Sequence, residues 1–298
     1  MPGDILGYVT EEAAKATGLP VGTPVVATSN DKAVEGLGTG CMGDSTVCIS
    51  LGTYTSAMME GKENLKGTSY AWPKFSCMPN KYLYDSNGIR RGMWTVSWYR
   101  DILGEGYAKL AKEQGMSPEE ALGREAEKVP VGSDGLMTVL NWLANVDARY
   151  QKGIMIGFDG RHTRGHIYRS ILEAVAMTMK RHVTDMCNEV GTTINKLIIT
   201  GGGSNSDLFM QIFADVFDIP VVRNEVNGAA GLGSAICAAV AANVYDSFES
   251  AVEHMVRIKD RFTPIAENVE VYEKLLPVYS EITGCTDPIL KKSYEIFD

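Results

Sequence analysis

Three short segments of this chain carry residue types suited to a phosphorylated ligand. The first is Ile198-Ile199-Thr200-Gly201-Gly202-Gly203-Ser204-Asn205-Ser206-Asp207. A β-branched run ends in three glycines and opens a helix. Glycines let a ligand approach the backbone, and the free N–H groups of a helix start attract phosphate. The segment is neither a Walker A loop nor a Gly-x-Gly-x-x-Gly dinucleotide fingerprint. A tight strand–helix turn capped by Asn205 or Ser206 would account for the same letters. The second segment is Ser50-Leu51-Gly52-Thr53, between two strand-like runs. A glycine bend beside a hydroxyl can present a backbone N–H and a threonine oxygen to phosphate; an ordinary hairpin is the plainer reading. The third is Asn30-Asp31-Lys32, after a β-branched run read as a buried strand. A carboxylate at the carboxyl end of such a strand lies where α/β folds place ligands, and can serve as a general base. Asp31 can equally be a helix N-cap.

Other chemistry-bearing types form no comparable pattern. The small residues from Glu225 to Ala235 fit close helix packing. His162 and His166 are four apart, but the turn-like Asp159-Gly160 and Gly165 argue against a helix holding both as metal ligands, and His166 reads as a helix-start residue. Arg90-Arg91 fits a phosphate contact or a solvated basic pair. None of the six cysteines forms a Cys-x-x-Cys pair, so neither a zinc site nor a redox motif is expected. Most read as small buried hydrophobes, in keeping with a reducing cytoplasm.

The elements that must position these segments alternate. Strands are expected at Ile5 to Val9, Pro24 to Thr28, Ser45 to Ser50, Tyr54 to Met59, Gly135 to Leu140, Gly153 to Phe158, Leu197 to Thr200 and Ile219 to Val222. Helices are expected from Thr10, at Lys32 to Gly38, Gly92 to Leu103, Ser117 to Lys128, Asn205 to Phe217 and Gly228 to Ala242, with a last one at Ser247 to Val256. His166 to Val190 is the longest helical pattern, with apolar residues three and four apart. Gly61 to Arg90 is irregular, an insertion or a small set of extra strands. Strand–helix alternation argues for an α/β layered fold, and with no evident linker a single domain is expected.

Composition closes off other classes. The chain has 298 residues, 45% hydrophobic and 22% charged, as in an ordinary globular protein. A net charge of −9 gives no general pull toward nucleic acid or anionic membrane. The longest apolar stretch, Ala229 to Ala242, falls short of the roughly 20 residues that a spanning helix needs.

Taken in order, these segments resemble the carboxyl-terminal half of the FGGY carbohydrate kinases. The resemblance runs from Gly7 and Thr10 to Val26, through Asn30-Asp31-Lys32-Ala33 on the family's Gly-Asp-x-x-Ala motif and Ser50 to Thr53. It continues through Gly157 to Glu173 and closes with Gly201 to Gly203 and the Glu225 to Ala235 helix. It implies an actin-like ATPase (ribonuclease H-like) domain, α/β with a mixed sheet flanked by helices, as the second half of a two-domain sugar kinase. Residues 1–298 would be the nucleotide-binding domain, without the amino-terminal sugar-binding domain as partner. Asp31 falls on the catalytic base that takes the proton of a sugar or polyol hydroxyl as it attacks the γ-phosphate of ATP, with Mg²⁺ neutralising phosphate charge. Gly52 and Thr53 fall on the phosphate hairpin. Gly201, Gly202 and Gly203, with Asn205 and Ser206, fall on the adenosine side, and Gly92 and Ser97 on a further nucleotide segment. Two departures stand out: Asn30 replaces a usual glycine, and Lys32 adds charge where a small or amide residue is common and where substrate can be touched. A cytoplasmic protein with no protein-held metal is expected, and a homodimer through a bare docking face. A non-catalytic actin-like nucleotide-binding module is the alternative; a nicotinamide oxidoreductase lacks its fingerprint.

Overall fold

The computed structural model describes residues 1–297. In chain order the elements are β1 (Ile5–Tyr8), α1 (Glu11–Thr17), β2 (Pro24–Val26), α2 (Asp31–Gly38), β3 (Thr46–Leu51), β4 (Thr55–Gly61), β5 (Ala71–Phe75) and β6 (Tyr82–Ser86). Then come α3 (Gly92–Ile102), α4 (Gly104–Glu113), α5 (Pro118–Ala126), β7 (Met137–Val139), β8 (Ile154–Ile156) and α6 (Arg164–Val190). The last are β9 (Lys196–Thr200), α7 (Asp207–Phe217), β10 (Val221–Asn224), α8 (Ala229–Ala241), α9 (Phe248–Met255), β11 (Ile258–Phe262) and α10 (Ala266–Phe297).

Seven strands form one mixed sheet in the order β11-β10-β9-β3-β4-β6-β5. β3, β9 and β10 run parallel, while β4, β6 and β5 extend the sheet as an antiparallel meander. Every residue of β3 and β4 is buried, because both faces of the sheet are covered. Period-two alternation sends Val47, Ile49, Leu51, Ala57 and Met59 into one core, with α6 and α7. It sends Cys48 and Met58 into a second core, with α2, α8 and α9. In that second core α2 and α8 meet almost backbone to backbone. A Cβ on Gly38 would lie 1.8 Å from the Ala229 carbonyl oxygen, and one on Gly233 would lie 2.0 Å from that of Val34. The small residues after Glu225 therefore serve packing, as the plainer reading had them.

Several expectations are corrected. The run from Pro24 is not a buried strand: β2 pairs only with β1 in an outlying ribbon, and Val25 is 46% exposed. β7 and β8 pair with each other, outside the main sheet. Gly61 to Arg90 holds two further strands of that sheet. The chain does not end its elements at Val256: β11 follows, then α10, which at 32 residues is longer than the 27 of α6. Pro277 and Pro288 lie inside α10. Its periodic Val269, Tyr272, Tyr279 and Ile282 are buried, and tertiary packing outweighs the proline penalty.

A buried carboxylate ties α10 to the rest. Glu173 of α6 accepts hydrogen bonds from the Gly132 N–H (2.9 Å), Ser133 Oγ (2.8 Å), Arg169 Nε (2.9 Å) and Tyr272 Oη (2.9 Å). It joins α6, α10 and the turn before β7 in one fully satisfied cluster. Removing its charge strands a buried guanidinium, so Glu173→Gln is expected to cost about 3 kcal/mol or more. Urea unfolding checks this, and a loss under about 1 kcal/mol would contradict it.

Candidate functional site

The carboxyl ends of β3 and β9 lie side by side, and the chain turns tightly at both. After β9, Gly201 adopts φ +86°, in the region that favours glycine. A Cβ there would sit 2.7 Å from the Leu51 carbonyl oxygen, so this glycine is required by its approach to the end of β3. Gly203 is similarly enclosed, 2.8 Å from Leu51 Cδ1. Gly202 differs: a Cβ on it would meet nothing within 4 Å. Two glycines of the triplet thus serve packing, and the middle one leaves its backbone open.

What Gly202 opens onto is a cleft of ≈ 720 Å³. Gly202, Gly203, Asn205 and Ser206 line one side. Met93 and Val96 of α3, Tyr168 and Leu172 of α6, and Phe209 of α7 supply apolar surface. Ser117, α5 and its C-cap supply a charged rim of Glu119, Glu120, Arg124 and Glu127. A capping box fixes the start of α5, where Ser117 and Glu120 exchange hydrogen bonds. These bonds to the Ser117 backbone and side chain hold the Glu120 carboxyl below its usual range. Burial pushes the Tyr168 phenol well up, so it stays protonated. Apolar walls with a net negative rim suit a flat, polar-edged group better than a phosphate chain.

Four of the predicted residues therefore share the cleft, and Gly201 braces it from behind. Ser206 also caps α7, accepting from the Phe209 N–H at 3.3 Å, and Asn205 Oδ1 accepts from Asn227 Nδ2 at 3.1 Å. Gly92 and Ser97 do not line it. Their helix contributes Met93 and Val96 instead, and Gly92 is a packing glycine whose Cβ would lie 2.2 Å from Thr55 Oγ1.

Gly52 and Thr53 form the tip of the β3–β4 hairpin, next to Leu51. The tip is anchored through the Gly52 carbonyl, which accepts from Thr55 Oγ1 (3.1 Å) and from the Met93 N–H at the start of α3 (3.2 Å). Thr53 itself is exposed. Asp31 and Lys32 flank the same end of the hairpin. Lys32 Nζ donates to Ser56 Oγ (3.0 Å), and Ser50 Oγ donates to Glu35 Oε1 (2.8 Å) one turn along α2. The N-cap of α2 is Asn30, whose Oδ1 accepts from the Ala33 N–H at 3.0 Å. The capping reading of Asp31 is thus wrong. Asn30 does that work, and Asp31 presents an exposed carboxylate whose one side-chain hydrogen bond is to the adjacent Lys32 N–H.

Sequence reasoning missed two supports. Arg223, at the end of β10, is buried and grips the glycine turn from outside. It donates to the Ser204 carbonyl (2.8 Å), Asp207 (2.9 Å) and Asp260 (2.8 Å). Burial opposes its charge, but the two carboxylates hold its guanidinium above the ordinary range. A basic residue at the carboxyl end of the neighbouring parallel strand was a usable signal. The second support is the chain from Lys32 through Ser56 to Asp85 (3.2 Å) and on to Lys74 (2.7 Å). Its members are scattered over four elements, so no sequence spacing reveals it.

Comparison with known proteins gives a consistent result. Residues 47–242 match the model for the FGGY family of carbohydrate kinases, C-terminal domain. The chain is 52% identical over 297 residues to a protein named uncharacterized sugar kinase YgcE of Escherichia coli K12, covering 99% of this chain and 60% of that one. It is 26% identical to the xylulose kinase of Bacillus subtilis, covering 94% of this chain and 54% of that one. Among solved structures, xylulose kinase from Rhodospirillum rubrum superposes with a TM-score of 0.80 at 27% identity, over 97% of this chain and 56% of that one. The chain therefore spans little more than half the length of these relatives.

Gly202 and Gly203 are expected to separate by experiment. Gly203→Ala should lower the unfolding midpoint, because the added methyl meets Leu51. Gly202→Leu should leave the midpoint nearly unchanged, because its side chain enters the open mouth of the cleft. Equal thermal losses in the two variants would contradict this division of roles.

Proposed function

The chain belongs to the FGGY family of carbohydrate kinases, as its C-terminal domain, and from that premise we propose that it is the nucleotide-binding, base-bearing part of an ATP-dependent sugar or polyol kinase. The observation that carries the reading is a chain of adjacencies, Gly201 on Leu51 before the hairpin tip and Lys32, beside Asp31, on Ser56 after it. The apolar cleft, the open backbone of Gly202, the Gly52–Thr53 tip and the free carboxylate of Asp31 succeed one another, as nucleoside, phosphates and acceptor hydroxyl would. Adenine and ribose take the cleft, where the acidic rim rejects phosphate. Backbone amides and Thr53 at the tip receive the phosphates. Asp31 accepts the proton of the attacking hydroxyl, and the Lys32 ammonium offsets charge on the transferring phosphoryl group. Mg²⁺ enters as part of the MgATP substrate, which asks for one or two protein carboxylates at most.

The sugar pocket and closure of the cleft are assigned to an amino-terminal domain. Exposed Leu6, Tyr8, Val21 and Val25 on and beside the β1–β2 ribbon supply an apolar face for it. Two copies of the chain alone would pair through that face, and a strictly monomeric mass in light scattering at high concentration would count against such a homodimer. No helix among the described residues is long and apolar enough to cross a membrane, and a cytoplasmic site of action is part of the proposal.

The test has two stages. Calorimetric titration of the chain should show binding of MgADP and MgATP but not of NAD, with little sugar-dependent turnover of ATP. Joined to an FGGY amino-terminal domain, it should transfer phosphate to a sugar or polyol. Asp31→Asn should then lower kcat by about 10²-fold or more while leaving nucleotide affinity within a few fold. Preference for NAD, or an Asp31→Asn protein of undiminished kcat, would overturn the reading.

A further inference from the structure

Five of the six cysteines are buried and one, Cys285, is exposed, which matches the expectation of small apolar fillers. One pair departs from it. Cys77, in the turn between β5 and β6, and Cys237, in α8, are 160 residues apart in sequence, yet their Sγ atoms lie 3.4 Å from each other. Both residues are fully shielded from solvent. Two thiol sulfurs at van der Waals separation need only small rotations to reach the roughly 2.05 Å of a covalent bond.

The other thiols are placed differently. Cys41 Sγ faces the carbonyl oxygens of Thr46 (3.6 Å) and Met58 (3.5 Å), so its S–H already has backbone acceptors. Burial pushes the Cys41 thiol up to about 12, that of Cys187 up to about 11, and that of Cys48 well up. Each is thereby kept protonated and unreactive. Cys237 is the exception. Its contact with the Cys77 thiol holds its own thiol below the ordinary value despite burial. Two thiols in contact, one the more acidic and the other placed to resolve, are the arrangement that oxidation selects.

A cavity lies close by. Ser76 and Met78, on either side of Cys77, line a space of ≈ 610 Å³ together with Thr28 and Ser29. Cys77 itself does not line it, so a small oxidant that enters it needs a local opening of the β5–β6 turn to reach the sulfur. Met78 itself belongs to the same buried cluster as both cysteines.

We propose that Cys77 and Cys237 form a redox-active dithiol site, which hydrogen peroxide converts to an intramolecular disulfide joining the β5–β6 turn to α8. The Cys237 thiolate attacks one peroxide oxygen and gives a sulfenic acid, releasing hydroxide that takes up a proton as water. The Cys77 sulfur then attacks the Cys237 sulfur, its proton leaving with the displaced hydroxide as a second water. Two thiols and one peroxide thus give one disulfide and two waters. Ser29, two residues before Asp31, lines the same cavity as Ser76 and Met78 on either side of Cys77. The bridge therefore forms under the segment that leads into α2. The site does not depend on the kinase reading, and it stands or falls by itself.

The test uses the native chain exposed to excess hydrogen peroxide, quenched, unfolded and alkylated with iodoacetamide. Peptide mapping by mass spectrometry should find the Cys77 and Cys237 peptides joined, with the intact mass lower by two hydrogens. Alkylatable thiols should fall by two from six, and dithiothreitol should restore them. C77S and C237S proteins should each lack the joined peptide. The wild-type map alone is decisive, so a variant that fails to fold leaves the test intact. Full alkylation of Cys77 and Cys237 while the exposed Cys285 is oxidised would overturn the proposal. So would a disulfide joining any other pair.

Discussion

The turn after β9 rests directly on the last residue of β3. Gly201 can lie on the Leu51 carbonyl only because it has no Cβ and accepts φ +86°. That approach fixes where Gly202 opens, how α7 starts and which way Asn205 and Ser206 face. Arg223 holds the turn from the opposite side through the Ser204 carbonyl and Asp207, so the loop is clamped between a strand end and a buried guanidinium. The β3–β4 tip is bound into the same unit, since Gly52 accepts a hydrogen bond from the start of α3, the helix that also walls the cleft.

From this clamp the remainder of the proposed site follows in order. The two cores on either face of the sheet hold separate parts of it. The core with α6 and α7 carries the cleft, and the core with α2 and α8 carries Asp31. Close packing of α2 on α8 through Gly38 and Gly233 sets the position of α2, and Asn30 sets its first turn. Asn30, a departure from the family pattern, relieves Asp31 of the capping role and leaves its carboxylate exposed, as the proposed base requires. Lys32, the other departure, is tied to the hairpin by Ser56 rather than directed at Asp31. The same second core encloses Cys77 and Cys237. Oxidation there would join the β5–β6 turn to α8, the helix on which α2 packs.

Much of this was legible because it is local. β3, β4 and β9 are strand-like runs with glycine at or just past their ends, and α6 has a clear period. The Gly201 triplet, the Gly52 bend and Asp31 were found as segments, and their order gave the family. Three things were not legible, each for a physical reason. A β-branched run reads as buried, yet β2 is half exposed because its partner is a single outlying strand. No element was expected after Val256, yet Val269, Tyr272, Tyr279 and Ile282 keep a helical period through Pro277, a residue that helix interiors seldom hold. Finally, side chains that act through contact across the sequence leave no spacing to read. Arg223, the Lys32–Ser56–Asp85 chain, Glu173 and the Cys77–Cys237 pair all belong to that group. Glycine identity was also ambiguous in sequence. The letters of Gly201, Gly202 and Gly203 are the same, and only the space around each Cβ separates packing from ligand access.

The central claim is that the cleft beside Gly202 receives the nucleoside and the hairpin tip receives the phosphates. Photolabelling with 8-azido-ATP, followed by peptide mapping, tests it directly. The account predicts label on the cleft wall, in α5 or in the stretch from Gly202 to Phe209, that excess MgATP suppresses. Specific label confined to the α2–α8 face or the β7–β8 ribbon would contradict it.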